Sequence, residues 1–248
     1  MSQRYDAKEY DKGRTGENIG YWVEEASRIA GLDEDSKVLD FGCGTGNYTL
    51  GFVQSEAPGF ICGLEPDVQM ISAARMKDAQ RRVNWCIGVG EGIPFKKETF
   101  SCIFSSQVWH HLKDKEKAAA ECCRVLRKNA PIVVRTISHD QWKEKTVTRF
   151  FPEVLQVELR RYPSEADYRR YFLEAGSKRV EFHRHTLEQY STPDEYIEVA
   201  KKKLWSMFWH LTDEQIREGI AKLLEYRNAH PGEALRNDDL ITLVVAWR

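Results

Sequence analysis

Asp40, Gly42, Gly44 and Gly46 follow the apolar run Lys37 to Leu39, and a helix-compatible segment comes next. An apolar run that ends in alternate glycines reads as a buried parallel strand entering the first turn of a nucleotide-binding βαβ unit. The glycines allow a tight turn and a close approach of backbone to ligand, which a Cβ would obstruct. Their spacing is G-x-G-x-G, not the G-x-G-x-x-G of dinucleotide sites. An acid beside the loop would repel a pyrophosphate and attract an ammonium group. The implied ligand is therefore a nucleoside that carries an amino acid. A second acid, Glu65, ends the apolar stretch Phe60 to Leu64, where a carboxylate is placed to accept bonds from both hydroxyls of a ribose. Pro66 then stands where a helix would start, because the first helical position needs no amide donor.

The elements that must position these groups follow in order. Glu17 to Ala30 has helical periodicity and stops at Gly31. Val83 to Gly88 and Phe100 to Ser105 read as further strands, and Asn47 to Ser55, Pro66 to Lys77 and Asp114 to Lys128 as crossover helices. Parallel strands need such crossovers. Ile132 to Val134 is another strand, Ser164 to Ala175 a helix, Arg179 to His185 an alternating strand and Leu240 to Trp247 a closing strand.

The loop Asp40 to Gly46 resembles motif I of the class I S-adenosylmethionine (SAM)-dependent methyltransferases, and the resemblance continues along the chain. Glu65 takes the position of the ribose acid. Val89-Gly90-Glu91-Gly92-Ile93-Pro94-Phe95 is similar to the family segment that lies along the adenine, with Val89 where the family usually has Asp. Ser106-Gln107-Val108-Trp109-His110-His111-Leu112 is similar to the run near the transferred methyl group. Arg124 to Arg127 and Ile132 to Val134 match the helix and strand that close this half of the sheet. Lys128-Asn129-Ala130-Pro131 replaces the usual Pro-Gly-Gly turn; Asn129 tolerates a left-handed conformation. The likeness covers Val38 to Thr136 well and the rest loosely. It is strongest towards the methyltransferases of ubiquinone and menaquinone biosynthesis, the methyltransferase type 11 group.

The resemblance implies a Rossmann-like α/β fold with seven strands, mostly parallel with the last antiparallel, and helices on both faces. It implies one domain over residues 1–248, with helical insertions at 139–162 and 192–228 forming a cap above the strands' carboxyl ends. It implies SAM as cofactor, held by Asp40, Gly42, Gly44, Gly46, Glu65, Pro66, Gly90, Glu91, Gln107 and Val108. Tyr10-Asp11-Lys12-Gly13-Arg14 matches a family segment that folds over the cofactor, so Tyr10 would bond the methionine part and Arg14 its carboxylate. His110 follows strand four at the mouth where the methyl should sit. It is either a base or orienting donor for the acceptor, or a cavity-lining ring that does not titrate; His111 fits a packing and helix-capping role better.

Composition bounds the alternatives. The chain has 248 residues, 42% hydrophobic and 30% charged, with a net charge of −1. That balance offers no basic surface for nucleic acid, and no apolar run reaches the roughly 20 residues of a membrane span. The N-terminus has no signal-peptide core, so a cytoplasmic location is expected. The six cysteines show no metal spacing and read as reduced, mostly buried thiols. The expected activity is methyl transfer to a small molecule with an apolar or aromatic body. The alternatives are an RNA or protein methyltransferase, a non-catalytic SAM-binding or partner-binding module, and an NAD-dependent dehydrogenase, the last disfavoured by the glycine spacing.

Overall fold

A computed structural model describes residue 11 and residues 18–248. At its centre is a seven-stranded sheet in the order β3-β2-β1-β4-β5-β9-β6. The strands are β1 Lys37–Phe41, β2 Phe60–Glu65, β3 Asn84–Ile87, β4 Cys102–Ser106, β5 Pro131–Thr136, β6 Arg179–Leu187 and β9 Asp239–Trp247. β1 pairs in parallel with β2, as Val38 faces Ile61, and with β4, as Val38 faces Cys102. Every residue of β1 but Lys37 is buried, which explains its unbroken apolar run. Arg248 N donates to Ala130 O and Lys178 N to Trp247 O, so the end of β9 meets the starts of β5 and β6 and β9 runs opposite to both.

The chain leaves β1 for β2 on one side and for β4 on the other. The point where this order reverses, at the carboxyl end of β1, is where open α/β sheets bind ligands. Helices cover both faces. On one, α1 (Ile19–Ala30) buries Trp22, Val23 and Ala26, and α2 (Asn47–Gln54) sets Tyr48 and Phe52 against Phe104 of β4. On the other, α4 (Lys115–Val125) and α8 (Glu165–Glu174) bury Ala118, Cys122, Tyr168 and Phe172 with Leu39, Ile103, Ile132 and Val134. Each such large side chain contributes about 1.5–3 kcal/mol on burial.

Among the boundaries that differ from the sequence expectation, two have a clear physical reason. Helix α3 spans Val68–Lys77, and Asp67 is its N-cap, accepting from the amides of Gln69 (2.7 Å) and Met70 (3.4 Å). Pro66 therefore precedes the cap and is not the first helical residue; a carboxylate that bonds two free amides is the stronger start signal. Helix α4 begins after Asp114, whose carboxylate caps Lys117 N, and ends at Val125, not Lys128. Leu126 bridges to Phe100 and Arg127 N donates to Phe100 O, so sheet pairing overrides three further helical residues. Asn129 does adopt a left-handed conformation, φ +62°, in the turn before β5.

The chain divides into two compact units: residues up to Thr136 with Glu165–His183 and Leu243–Arg248, and Ile137–Ser164 with Arg184–Thr242. The second holds both helical stretches expected from the sequence. The first stretch is three short helices, α5 His139–Glu144, α6 Thr146–Phe150 and α7 Glu153–Arg161. The second is α9 Pro193–Lys201, a 3-10 turn at Ser206–His210 and α10 Asp213–Ala229. Thr192 and Glu195 cap α9 reciprocally, with Pro193 at its start. Phe208 packs edge-on to Phe151 and stacks on Trp205, so these aromatics form the unit's own core. A two-stranded ribbon, β7 Tyr190–Ser191 with β8 Leu235–Arg236, completes it.

Candidate functional site

The glycine loop leaves β1 with Gly42, Gly44 and Gly46 at φ +75°, +54° and +82°, a path that L side chains resist. Gly46 is the left-handed residue directly before α2, whose first turn holds Asn47, Tyr48 and Thr49. Gly42 is also required by packing, since a Cβ there would lie 2.4 Å from Val108 Cγ2. Val108, beyond β4, is thus packed onto the loop. Asp40 is brought there too, but it lies beneath the loop, 2% exposed, accepting from Thr49 Oγ1 at 2.5 Å. Its carboxyl faces the start of α2.

Burial pushes the Asp40 carboxyl up to about 7; the bonds from Thr49 oppose this and the nearby Glu65 adds to it. An acid with a raised native pKa stabilises the fold only while protonated. As pH rises from about 4 to about 7, the unfolded chain ionises first, so this contribution falls and then levels off above 7. Replacing Asp40 with Asn is expected to remove that slope, worth a few kcal/mol across the window. Urea titrations of both proteins at pH 4.5 and 8 check this; equal pH dependence in the two would show that Asp40 is ionised throughout.

Glu65 ends β2 half-buried. Its Oε2 accepts from Gly44 N and its Oε1 from Asp67 N, both at 3.1 Å. Burial raises its carboxyl, while those two amides pull it back down. Each oxygen keeps acceptor capacity after its one amide. Two such oxygens at the switch point, beside a backbone loop with no side chains at Gly42, Gly44 and Gly46, fit a ribose with two vicinal hydroxyls.

The loop after β3 forms the adjacent wall. Gly90 approaches Phe41 so closely that a Cβ would lie 2.4 Å from the ring, which explains glycine there by packing. Glu91 Oε1 accepts from Lys113 N (3.2 Å) and Asp114 N (3.3 Å), so its carboxylate braces the start of α4. A clamp that sequence reasoning missed holds the same loop from α4. Glu121 accepts from Ile93 N (2.8 Å), and Arg124 donates to Ile93 O (2.8 Å) and Phe95 O (2.7 Å) while pairing with Glu121. No local signal marks those two residues, because their targets lie about 30 positions away.

Beyond β4, Gln107 sits at φ +57°, and its amide donates to Arg135 O. A non-glycine residue held left-handed at a ligand-binding edge is characteristic of functional sites. Trp109 anchors the following turn: it is 1% exposed and meets Phe41, Tyr168 and Phe172 with ring centroids 6.1, 5.7 and 5.0 Å apart. The anchored turn presents His110, half-buried, with the ring of His111 3.9 Å away. Capping of α4 falls to Asp114 and not to His111. Pro66 is exposed beside Glu65. Tyr10 and Arg14 lie outside the described residues. Gly42, Gly44, Gly46, Glu65, Val108 and Gly90 are thereby gathered around the carboxyl end of β1. No helix among the described residues is long and apolar enough to cross a membrane.

Comparison with known proteins bears on the fold and the domain. A family model described as a methyltransferase domain matches residues 39–134. The chain is 27% identical over 205 residues to demethylmenaquinone methyltransferase of Lactiplantibacillus plantarum, covering 72% of this chain and 86% of that one. It is 28% identical to the chloroplastic 2-methyl-6-phytyl-1,4-hydroquinone methyltransferase 2 of rice, covering 67% of this chain and only 47% of that one. A solved structure described as a methyltransferase of an antibiotic biosynthesis pathway in Anabaena variabilis superposes with a TM-score of 0.77 at 19% identity, over 92% of this chain and 97% of that one. That likeness establishes the fold. With the G-x-G-x-G loop, the acid ending β2 and the methyltransferase-domain match over residues 39–134, these findings support a class I SAM-dependent methyltransferase.

Proposed function

We propose that the enzyme methylates a small molecule with an aromatic, hydroxyl-bearing body of the reduced-quinone type. The observation that carries this is the half-buried His110 on a turn anchored by Trp109, next to the loop that holds the cofactor residues. The relatives from L. plantarum and rice, whose names specify quinone-type acceptors, support the substrate class.

SAM supplies a methyl group already activated by a sulfonium. In this reading Glu65 holds the ribose, the amides and open backbone of Gly42 to Gly46 take the methionine part, Tyr10 bonds that part and Arg14 pairs with its carboxylate. Gly90 and Glu91 shape the adenine wall, while Gln107 and Val108 border the reacting end. His110 accepts a bond from the acceptor's hydroxyl and, where the acceptor must lose a proton, receives it at a ring nitrogen. Positioning and exclusion of water supply most of the acceleration.

The test measures S-adenosylhomocysteine release from SAM with a short-chain demethylmenaquinol, a phytyl-type hydroquinone and, as contrast, an amine acceptor. Turnover with a quinol is expected. His110→Gln is expected to lower kcat about 10²–10⁴-fold with cofactor affinity unchanged. Turnover only with the amine would overturn the substrate class, and full activity of the His110 variant would reduce that ring to a lining residue.

A further inference from the structure

A half-buried tryptophan lies against the glycine loop. Asp40 of β1, Gly63 of β2 and Trp85 of β3 stand in register across three parallel strands, so all three positions share one face of the sheet. Gly63 has no side chain, and the Trp85 indole fills the space. A Cβ on Gly63 would lie 2.7 Å from Cζ3 and 2.8 Å from Cε3 of that ring, and 2.9 Å from Cys43 Sγ. The ring therefore reaches from the edge strand β3 over β2 to the loop that leaves β1. Its far carbon, Cη2, would meet a Cβ on Gly46 at 2.5 Å, and Ala74 Cβ of α3 would meet it at 3.1 Å. Gly46 is the left-handed residue, φ +82°, at which the loop becomes α2. One side of that turn is thus closed by the indole and by one methyl group.

The indole is also held through its nitrogen. Nε1 donates to Asp78 Oδ2 at 3.1 Å. Asp78 is 6% exposed, and its carboxylate also accepts from Arg82 N at 3.0 Å and Val83 N at 3.1 Å, so the turn between α3 and β3 fixes it. Arg75 of α3 donates to Trp85 O at 3.4 Å. An indole bonded through its N–H and pressed over Gly63 has little freedom left to move. A chain of contacts therefore runs from Asp78 through Trp85 to Gly46.

We propose that Trp85 is a positioning residue for the cofactor: its indole sets the left-handed turn at Gly46 before the ligand arrives, and Asp78 sets the indole. The proposal rests on the cofactor role given above to the glycine loop. It adds that two residues with no ligand contact of their own govern cofactor affinity. A loop already held in its binding conformation removes an ordering cost from binding. Such support acts on affinity beyond its effect on folding, whereas a residue that only packs acts on folding alone.

The experiment measures S-adenosylhomocysteine affinity of the full chain by calorimetry, well below every thermal midpoint, with the midpoints recorded alongside. Fluorine NMR of protein labelled with fluorotryptophan follows the indole itself, and the signal missing from Trp85→Phe identifies Trp85. Trp85→Phe, whose shorter ring no longer reaches Gly46, is expected to weaken binding about 5- to 20-fold. Val180→Ala loosens β6 at the opposite edge of the sheet and serves as the control. It is expected to lower the midpoint while leaving affinity within about twofold of wild type. Asp78→Asn tests the same chain of contacts with the ring intact. It is expected to displace the Trp85 signal in the free protein and to weaken binding less than Trp85→Phe does. Equal affinity in wild type and Trp85→Phe would overturn the proposal. So would a matching loss of affinity in Val180→Ala, which would make the effect one of general stability. A Trp85 signal displaced by Asp78→Asn with affinity unchanged would overturn it too, because a moved indole would then leave binding as it was. Wild-type protein that does not bind S-adenosylhomocysteine would instead overturn the cofactor reading of the loop.

Discussion

Glu65→Ala is expected to weaken SAM and S-adenosylhomocysteine binding more than tenfold. A hydrogen bond to a charged group is worth about 1.5–3 kcal/mol, and each 1.4 kcal/mol is tenfold in affinity. The structure enlarges the effect. The same carboxylate holds Gly44 N on one oxygen and Asp67 N on the other. Removing it frees the middle of the glycine loop and the lead-in to α3 as well as the proposed ribose contact. Glu65→Gln keeps one acceptor oxygen and places a donor on the other side, so it should lie between Ala and wild type. Calorimetric titration of the three proteins with S-adenosylhomocysteine measures this. Affinity unchanged in Glu65→Ala would remove the ribose role and leave Glu65 as a brace for the loop alone.

Gly42→Ala carries the second large effect, on folding and binding together. At φ +75° the methyl group costs about 1–2 kcal/mol in backbone strain. It would also lie 2.4 Å from Val108 Cγ2 and 2.7 Å from Cγ1. Val108 is β-branched and stiff about χ1, so it cannot swing aside cheaply, and overpacking of this kind adds about 1–3 kcal/mol. A midpoint lowered by several degrees is expected, with cofactor binding reduced because the loop and the segment after β4 are forced apart. The double variant Gly42→Ala/Val108→Ala should recover part of the stability by removing the clash, while the strain at φ +75° remains. Recovery to wild-type stability would show that the left-handed backbone contributes nothing, and no recovery would show that Val108 is not the obstacle.

The helical unit shows how local and distant signals divide. Thr192-Pro193-Asp194-Glu195 carries a helix start within four residues, and Thr192 and Glu195 form a capping box there. The small ribbon pairing Tyr190 with Arg236 spans 46 positions and has no signal at either end strong enough to find it. The same division explains the end of α4. Its periodicity continues to Lys128, yet Leu126 pairs with Phe100, and no count of apolar positions within the helix reveals that partner.

The order of strands and helices around β1, the glycine turn and the acid ending β2 were determined by the amino-acid sequence alone. Each depends on residues adjacent in the chain, whose spacing is itself the physical signal: apolar runs for buried strands, alternate glycines for a left-handed turn, an acid at a strand end. Tertiary structure decided what those residues touch. It turned Asp40 beneath the loop to Thr49, fitted Gly90 to Phe41, set Glu91 against the start of α4 and Arg124 against the carbonyls of Ile93 and Phe95, and tied Asp11 to Lys77. These contacts join residues as little as nine and as much as 66 positions apart. Only packing of the folded chain chooses such partners, because the free energy of each contact depends on burial and geometry that the separate segments do not possess.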